Sequence, residues 1–204
     1  MRRRTAWAGR WIFRGLLLAG LAAAAVAQPP APERSAPSER APEIRLIEPG
    51  RDDPALKRIA FKRTKLPAKY QRRRRNFAWA VAKIDGLDKT EYFAHSGIKR
   101  PKDVESAPSE DVEGISFQRK KGRFEVLCVN HDDVVDGPGC FPRFADTEYK
   151  IIEDIASRLP DPSVTGRVRI YTDLYPCASC RHVMRQFLNV YTNVRMQVLY
   201  RDRE

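Results

Sequence analysis

Residues 168–188 read VRIYTDLYPCASCRHVMRQFL. Val168, Ile170, Tyr171 and Thr172 predict a strand, because β-branched and aromatic side chains fit a pleated, buried surface. Pro176 ends the extended run. Beyond it Val183, Met184, Phe187 and Leu188 recur at helical spacing, which predicts a helix from Cys177 to Leu188. The chain therefore turns from strand to helix at Cys177-Ala178-Ser179-Cys180. Two cysteines three apart at a helix start can face one point, where free backbone N–H groups and the helix dipole favour thiolates. Three uses compete for them: two sulfur ligands of a zinc site, a redox-active disulfide, or structural disulfides. A redox fold needs a further helix and hairpin downstream, and only 24 residues follow Cys180. Spacing alone leaves the other two open.

Working upstream, Ile151, Ile152, Ile155 and Leu159 mark a helix from Asp146 to Leu159, stopped by Pro160. Phe77 to Ile84 is an apolar strand, Asp85-Gly86 a turn, and Thr90 to His95 its hairpin partner. Residues 97–114 are polar and read as a long loop. Ile115–Gln118 and Phe124–Val129 flank Lys120-Lys121-Gly122 as a second possible hairpin. Downstream, Val194 to Tyr200 alternates as a last strand. Without the second hairpin the order is two strands, helix, strand, helix, strand. That order implies a layered α/β fold with helices packed on one sheet.

The upstream helix begins Asp146-Thr147-Glu148. If both helices start at the same edge of the sheet, Asp146, Cys177 and Cys180 converge as three metal donors with one position open. That is a catalytic zinc arrangement, which activates a water near neutral pH. Glu148, two residues on, could take a proton from that water and return it to a leaving group. Without the cysteines, Asp146 is simply a helix cap and Glu148 a favourable first-turn charge. Were Asp146 not a ligand, His131 or Cys140 could replace it.

Asp-x-Glu followed by Pro-Cys-x-x-Cys resembles the signature of the cytidine deaminase-like superfamily, whose usual first motif is His-x-Glu. Four stretches in order resemble one branch of it, the toxin deaminases of bacterial polymorphic-toxin systems. They are Asn76–Ala82, Tyr92–Gly97, Ala145–Ile151 and Cys177–Arg181. The resemblance implies a three-layer α/β/α fold with a mixed sheet of four to five strands. It implies zinc held by Asp146, Cys177 and Cys180, and Glu148 as the catalytic proton shuttle to leaving ammonia. It places Asn76 and His95 where such enzymes contact substrate. It also implies a nucleobase substrate, cytosine in single-stranded DNA or RNA first among them, and an immunity protein as partner. The aspartate in place of histidine departs from the superfamily pattern.

The rest of the chain sets the context. Residues 1–27 carry five arginines and no acid, then an apolar run ending Ala25-Val26-Ala27, which reads as a cleaved signal peptide. The run is too short for a membrane span, so no stable span is expected after cleavage and the protein is expected to be secreted or periplasmic. The formal net charge is +12, and without the leader 33 basic and 26 acidic residues leave it near +7. That balance favours nucleic acid or nucleotide partners. Residues 28–50, rich in proline and alanine, read as a disordered linker. Residues 51–75 read as a basic helix and arm, with the deaminase-like domain following at 76–204. Asp52-Asp53-Pro54 starts that helix, and Lys57, Arg58, Lys62, Arg63, Lys65, Lys69 and Arg72 to Arg75 make it a phosphate-contacting candidate. In an oxidising compartment Cys128 and Cys140 are expected to form a disulfide that pins the loop before the Asp146 helix. The competing reading is an exported nucleic-acid-binding or interaction domain with all four cysteines in disulfides and no zinc.

Overall fold

The computed structural model describes residues 40–72, 75–119 and 121–201. The predicted signal peptide, most of the predicted linker, and Arg73 and Arg74 of the basic arm lie outside them. Among the described residues seven strands and five helices follow in chain order: β1 Glu43–Leu46, α1 Asp53–Thr64, α2 Ala68–Gln71, β2 Phe77–Ile84, β3 Glu91–His95, α3 Ser109–Val112, β4 Cys128–Val129, β5 Phe141–Pro142, α4 Thr147–Ala156, β6 Gly166–Thr172, α5 Ala178–Val190 and β7 Val194–Tyr200. The main sheet has the order β1-β7-β6-β2-β3. β1, β7 and β6 run parallel, and β2 is antiparallel to both β6 and β3. Parallel neighbours need a crossover, and α5 carries the chain from β6 to β7.

Alternation along β2 explains the layers. Ala78, Ala80, Ala82 and Ile84 face a core shared with Ile151, Ile152 and Ile155 of α4 and Val183, Met184 and Phe187 of α5. Phe77 and Trp79 face the opposite way, with Phe93, Tyr171 and Leu199, and α1 covers them through Ala55 and Ile59. The fold is thus α/β/α with a five-stranded mixed sheet. Residues 53–71, read from sequence as an arm ahead of the domain, form a layer of it. The aromatic face of the sheet would otherwise lie open to water.

Two further expectations change. Residues 43–46, assigned to the disordered linker, pair in parallel with Gln197–Tyr200. No proline falls between Pro42 and Pro49, and within that gap Glu43–Leu46 covers an edge of β7 that would otherwise be unpaired. Arg45 pairs with Asp52 at 2.8 Å and ties this strand to the start of α1. Among the described residues the second hairpin does not form. Its first arm bridges to β3 through Ile115 and Phe93, with Ser116 N–H donating to the Phe93 carbonyl, and side chains of α4 and α5 take the second: Arg123 and Phe124 N–H donate to Glu153, Glu125 N–H to Gln186, and Leu127 N–H to Ser179. Glu153 is thereby buried with partners, and every residue of α4 is buried. The polar loop at 97–114 contains a 3-10 turn at Pro101–Asp103 and the short α3.

Cys128 and Cys140 form a disulfide across the β4–β5 ladder, 12 residues apart. In the chain-entropy account, closing a loop of that size stabilises by about 3 kcal/mol. Cys128→Ser with Cys140→Ser is therefore expected to lower the denaturation midpoint. Dithiothreitol should lower it in the wild type and leave the double variant unmoved. Among the described residues no helix is long and apolar enough to cross a membrane.

Candidate metal centre and active site

The two helices begin at the same edge of the sheet. Asp146 is the N-cap of α4 and Cys177 the N-cap of α5, and Cys180 lies one turn into α5. Asp146 Oδ2 is 3.2 Å from Cys177 Sγ and 3.3 Å from Cys180 Sγ, and the two sulfurs are 3.2 Å apart. Two sulfur donors and one oxygen donor thus form a near-equilateral triangle that could close round one small ion. Both thiols are free, so the reading with all four cysteines in disulfides does not hold. Cys140 is in its disulfide and His131 is not in this group, so neither takes the place of Asp146. A second cluster, Cys128, Asp136 and Cys140, has its sulfurs bonded to each other and no thiolate to offer.

Glu148 lies beside the triangle, its Oε2 3.6 Å from Cys180 Sγ. Its carboxyl is buried and held by the adjacent Thr147 and by two residues remote in sequence. The Thr172 hydroxyl donates to Oε1 at 2.7 Å, the Thr147 hydroxyl to Oε2 at 2.9 Å, and Asn76 Nδ2 is 3.2 Å from Oε1. Asn76 Nδ2 also donates to the hydroxyls of Thr147 and Thr172 at 2.7 and 3.0 Å. Burial pushes the Glu148 carboxyl up, the charge of Asp146 adds to this, and the threonine hydroxyls pull it back. A carboxyl raised in this way is suited to taking and returning a proton. The Cys180 thiol is held well above its ordinary range, first by its hydrogen bond with Cys177, then by burial and the charges of Glu148 and Asp146. So many acidic groups round one point repel when ionised, and a dication placed among them reverses that balance. The donor set therefore fits a zinc ion.

Asn76, Asp146, Glu148, Cys177 and Cys180 are brought together. His95, at the end of β3, is not in this network; it lines a separate cleft with Arg75 and Gly97. His182 is half-buried on α5 outside the donor triangle. A cavity of about 600 Å³ reaches Cys177 and is bounded by Arg143, Tyr175, Tyr200 and Arg201. Tyr175 is half exposed there, its ring edge-on to Tyr200.

Four contributors escaped the sequence reading. Thr147 and Thr172 hold Glu148, and nothing local marks Thr172 for this. Arg143 donates from Nε to Asp146 Oδ2 at 2.8 Å, an i,i+3 spacing that was legible in principle. Lys150 is buried, and its ammonium donates to the carbonyls of His95 and Ile98 at 2.8 and 2.7 Å, which fixes the loop after β3. Burial pushes Lys150 down to about 7, and the charges of Asp146 and Glu148 partly oppose this.

Compared with known protein families, residues 60–202 match the toxin deaminases described as the BURPS668_1122 family of deaminases. No curated protein and no solved structure matches the chain. The match spans more than half of the chain and contains both helix starts that bring Asp146, Cys177 and Cys180 together, and the chain belongs to the BURPS668_1122 family of toxin deaminases.

Proposed function

We propose that the chain is a zinc-dependent hydrolytic deaminase of a nucleobase, with cytosine in single-stranded nucleic acid as substrate, exported as a toxin and restrained by an immunity protein. The convergence of Asp146, Cys177 and Cys180 beside a buried Glu148 carries this reading. Asp146, Cys177 and Cys180 would hold the ion. When bound, zinc supplies a Lewis acid that brings the pKa of a water toward neutrality. Glu148 takes a proton from the attacking water at a carboxylate oxygen and passes it to the base, whose exocyclic amine leaves as ammonia. Asn76, Thr147 and Thr172 hold that carboxylate, and Asn76 donates to the base by giving up one of its threonine partners. The cavity at Cys177 admits the base, and Tyr175 gives it a face to stack on, as single-strand binders use exposed aromatics. A base must leave its stack to reach such a cavity, which favours single strands.

The test is base conversion. The zinc-loaded chain is incubated with single-stranded DNA, duplex DNA and RNA, and the products are sequenced. Cytosine-to-uracil changes concentrated in single strands are expected. Conversion of adenine instead would replace the assigned base, and no conversion of any polymer would leave free nucleotides as the substrate class.

Arg143 offers a second test. An aspartate in place of histidine adds one negative charge to the donor set, and the Arg143 guanidinium on Asp146 Oδ2 offsets it. Loss of a group that orients a metal ligand costs about 10–100-fold in metal affinity. Arg143→Ala is expected to weaken zinc binding in that range, read by competition with a chelator. Adding Asp146→His to Arg143→Ala removes the extra charge and should recover much of the loss. Equal zinc affinity of wild type and Arg143→Ala would contradict the compensation.

A further inference from the structure

The basic arm does not act as a uniform cationic surface. Arg58 and Lys62 pair with Glu91, Arg63 with Asp173, and Lys65 with Asp111. Lys69, Arg72 and Arg75 have no carboxylate partner among the described residues. These three line one cleft of about 630 Å³ with Tyr70, His95 and Gly97. No acidic side chain lines it among the described residues.

His95 gives the cleft its chemistry. The residue is 2% exposed, and its Nε2 is buried with no hydrogen-bond partner among the described residues. Its Nδ1 accepts the Gly97 N–H at 3.0 Å, so the neutral ring carries its proton on Nε2. Burial keeps the ring neutral, helped by Arg63, Lys150 and Arg75, and pushes its pKa down to about 4. A neutral N–H donor left without a partner among cations lacks one thing, an anionic oxygen. Gly97 makes room for it. A Cβ there would lie 3.1 Å from both Arg75 Cδ and His95 Cε1, so any side chain would part the two groups. The Tyr70 ring closes the other side, 5.2 Å from the His95 ring.

The cleft has a fixed relation to the active site. His95 pairs with Phe77, Ala78 with Thr172, and Thr172 with Tyr200. Along this edge of the sheet the ends of β7 and β6 border the cavity at Cys177, and the end of β3 borders the cationic cleft. Thr172 and Asn76, which hold Glu148, lie between. At about 4.8 Å per strand, His95 sits about 10 Å from the end of β6.

We propose that the cleft of Lys69, Arg72, Arg75, His95 and Gly97 is a phosphate subsite that grips the substrate nucleotide beside the base being deaminated. This rests on the nucleobase reading above. The phosphate belongs either to a polynucleotide backbone or to a free nucleotide, and both present the same anionic oxygens.

Binding tests it without requiring turnover. The full chain carrying Glu148→Gln is titrated with a fluorescent ten-residue oligodeoxycytidine over a range of salt. Arg72→Ala with Arg75→Ala is expected to weaken binding about tenfold and to flatten the slope of log affinity against log salt by about 1.4, the value for two single-strand phosphate contacts. Lys83→Ala with Arg195→Ala removes the same charge from exposed positions outside the cleft and should change binding less than twofold. Gly97→Leu fills the cleft without changing charge and should reproduce the loss, with circular dichroism checking the fold. Competition by cytidine 5′-monophosphate with the same arginine dependence assigns the site to a free nucleotide. A response confined to the oligomer assigns it to the backbone. Equal losses from the cleft pair and the control pair, or no effect of Gly97→Leu in a folded protein, would overturn the subsite. If the unmutated chain converts no base while the arginine dependence stands, the deaminase reading fails and the phosphate site survives. If it converts bases and the arginines do not matter, the reverse holds.

Discussion

Glu148→Gln is expected to abolish base conversion, by about 10²–10⁴-fold, the range for losing a positioned general acid–base group. The substitution keeps the size of the side chain, its amide oxygen can still accept from Thr172 and Asn76, and the Thr147 hydroxyl can turn to accept from the amide nitrogen. It removes the capacity to take up and return a proton. Zinc content and thermal stability should therefore stay at wild-type levels while turnover falls. The carboxylate sits where burial and Asp146 raise it, so neutralising it costs the fold little. A loss of turnover accompanied by loss of zinc would instead make Glu148 a ligand. Full activity of Glu148→Gln would remove it from the mechanism.

Cys180→Ala should have the other large effect. Cys180 is 2% exposed and belongs to the main core, where alanine fits as a smaller apolar residue. The metal-free variant should therefore fold. It should retain no zinc and convert no base, because two donors do not make the site. The sharper readout is linkage. Zinc at 1,000 times its dissociation constant should stabilise the wild type by about 4 kcal/mol, since it binds the native state. The Cys180→Ala denaturation curve should not move with zinc. A variant that still gains stability from zinc would place the metal elsewhere.

Much of this was legible in the chain. The helices α4 and α5 announce themselves through Ile151, Ile152, Ile155 and through Val183, Met184, Phe187, Leu188, because a buried helical stripe is a local pattern. The strands β2, β6 and β7 are apolar and terminated by turn signals. The donor triangle was legible for the same reason: its residues sit on the helix starts themselves, so placing the helices places the donors.

What was not legible is held by distant partners. β1 is four residues long and owes its existence to Gln197–Tyr200, some 150 positions away. The segment 115–129 has strand-like composition, yet Ser116 bonds to Phe93 of β3 and the N–H groups from Arg123 to Leu127 are claimed by Glu153, Gln186 and Ser179. Thr172 reaches Glu148 only because β6 ends beside α4. The arm showed its charge in sequence but not its pairing. Only the ion pairs to Glu91, Asp173 and Asp111 separate structural cations from those left in the His95 cleft.

In the proposed site Asp146, Cys177 and Cys180 hold zinc with an open position beside Glu148. Zinc X-ray absorption on the purified full chain tests it most directly. Two sulfur neighbours at about 2.3 Å and two oxygen neighbours at about 2.0 Å are predicted, with one oxygen lost and replaced in Asp146→His by nitrogen. Four sulfurs, an all-oxygen shell, or no stoichiometric zinc would contradict the account.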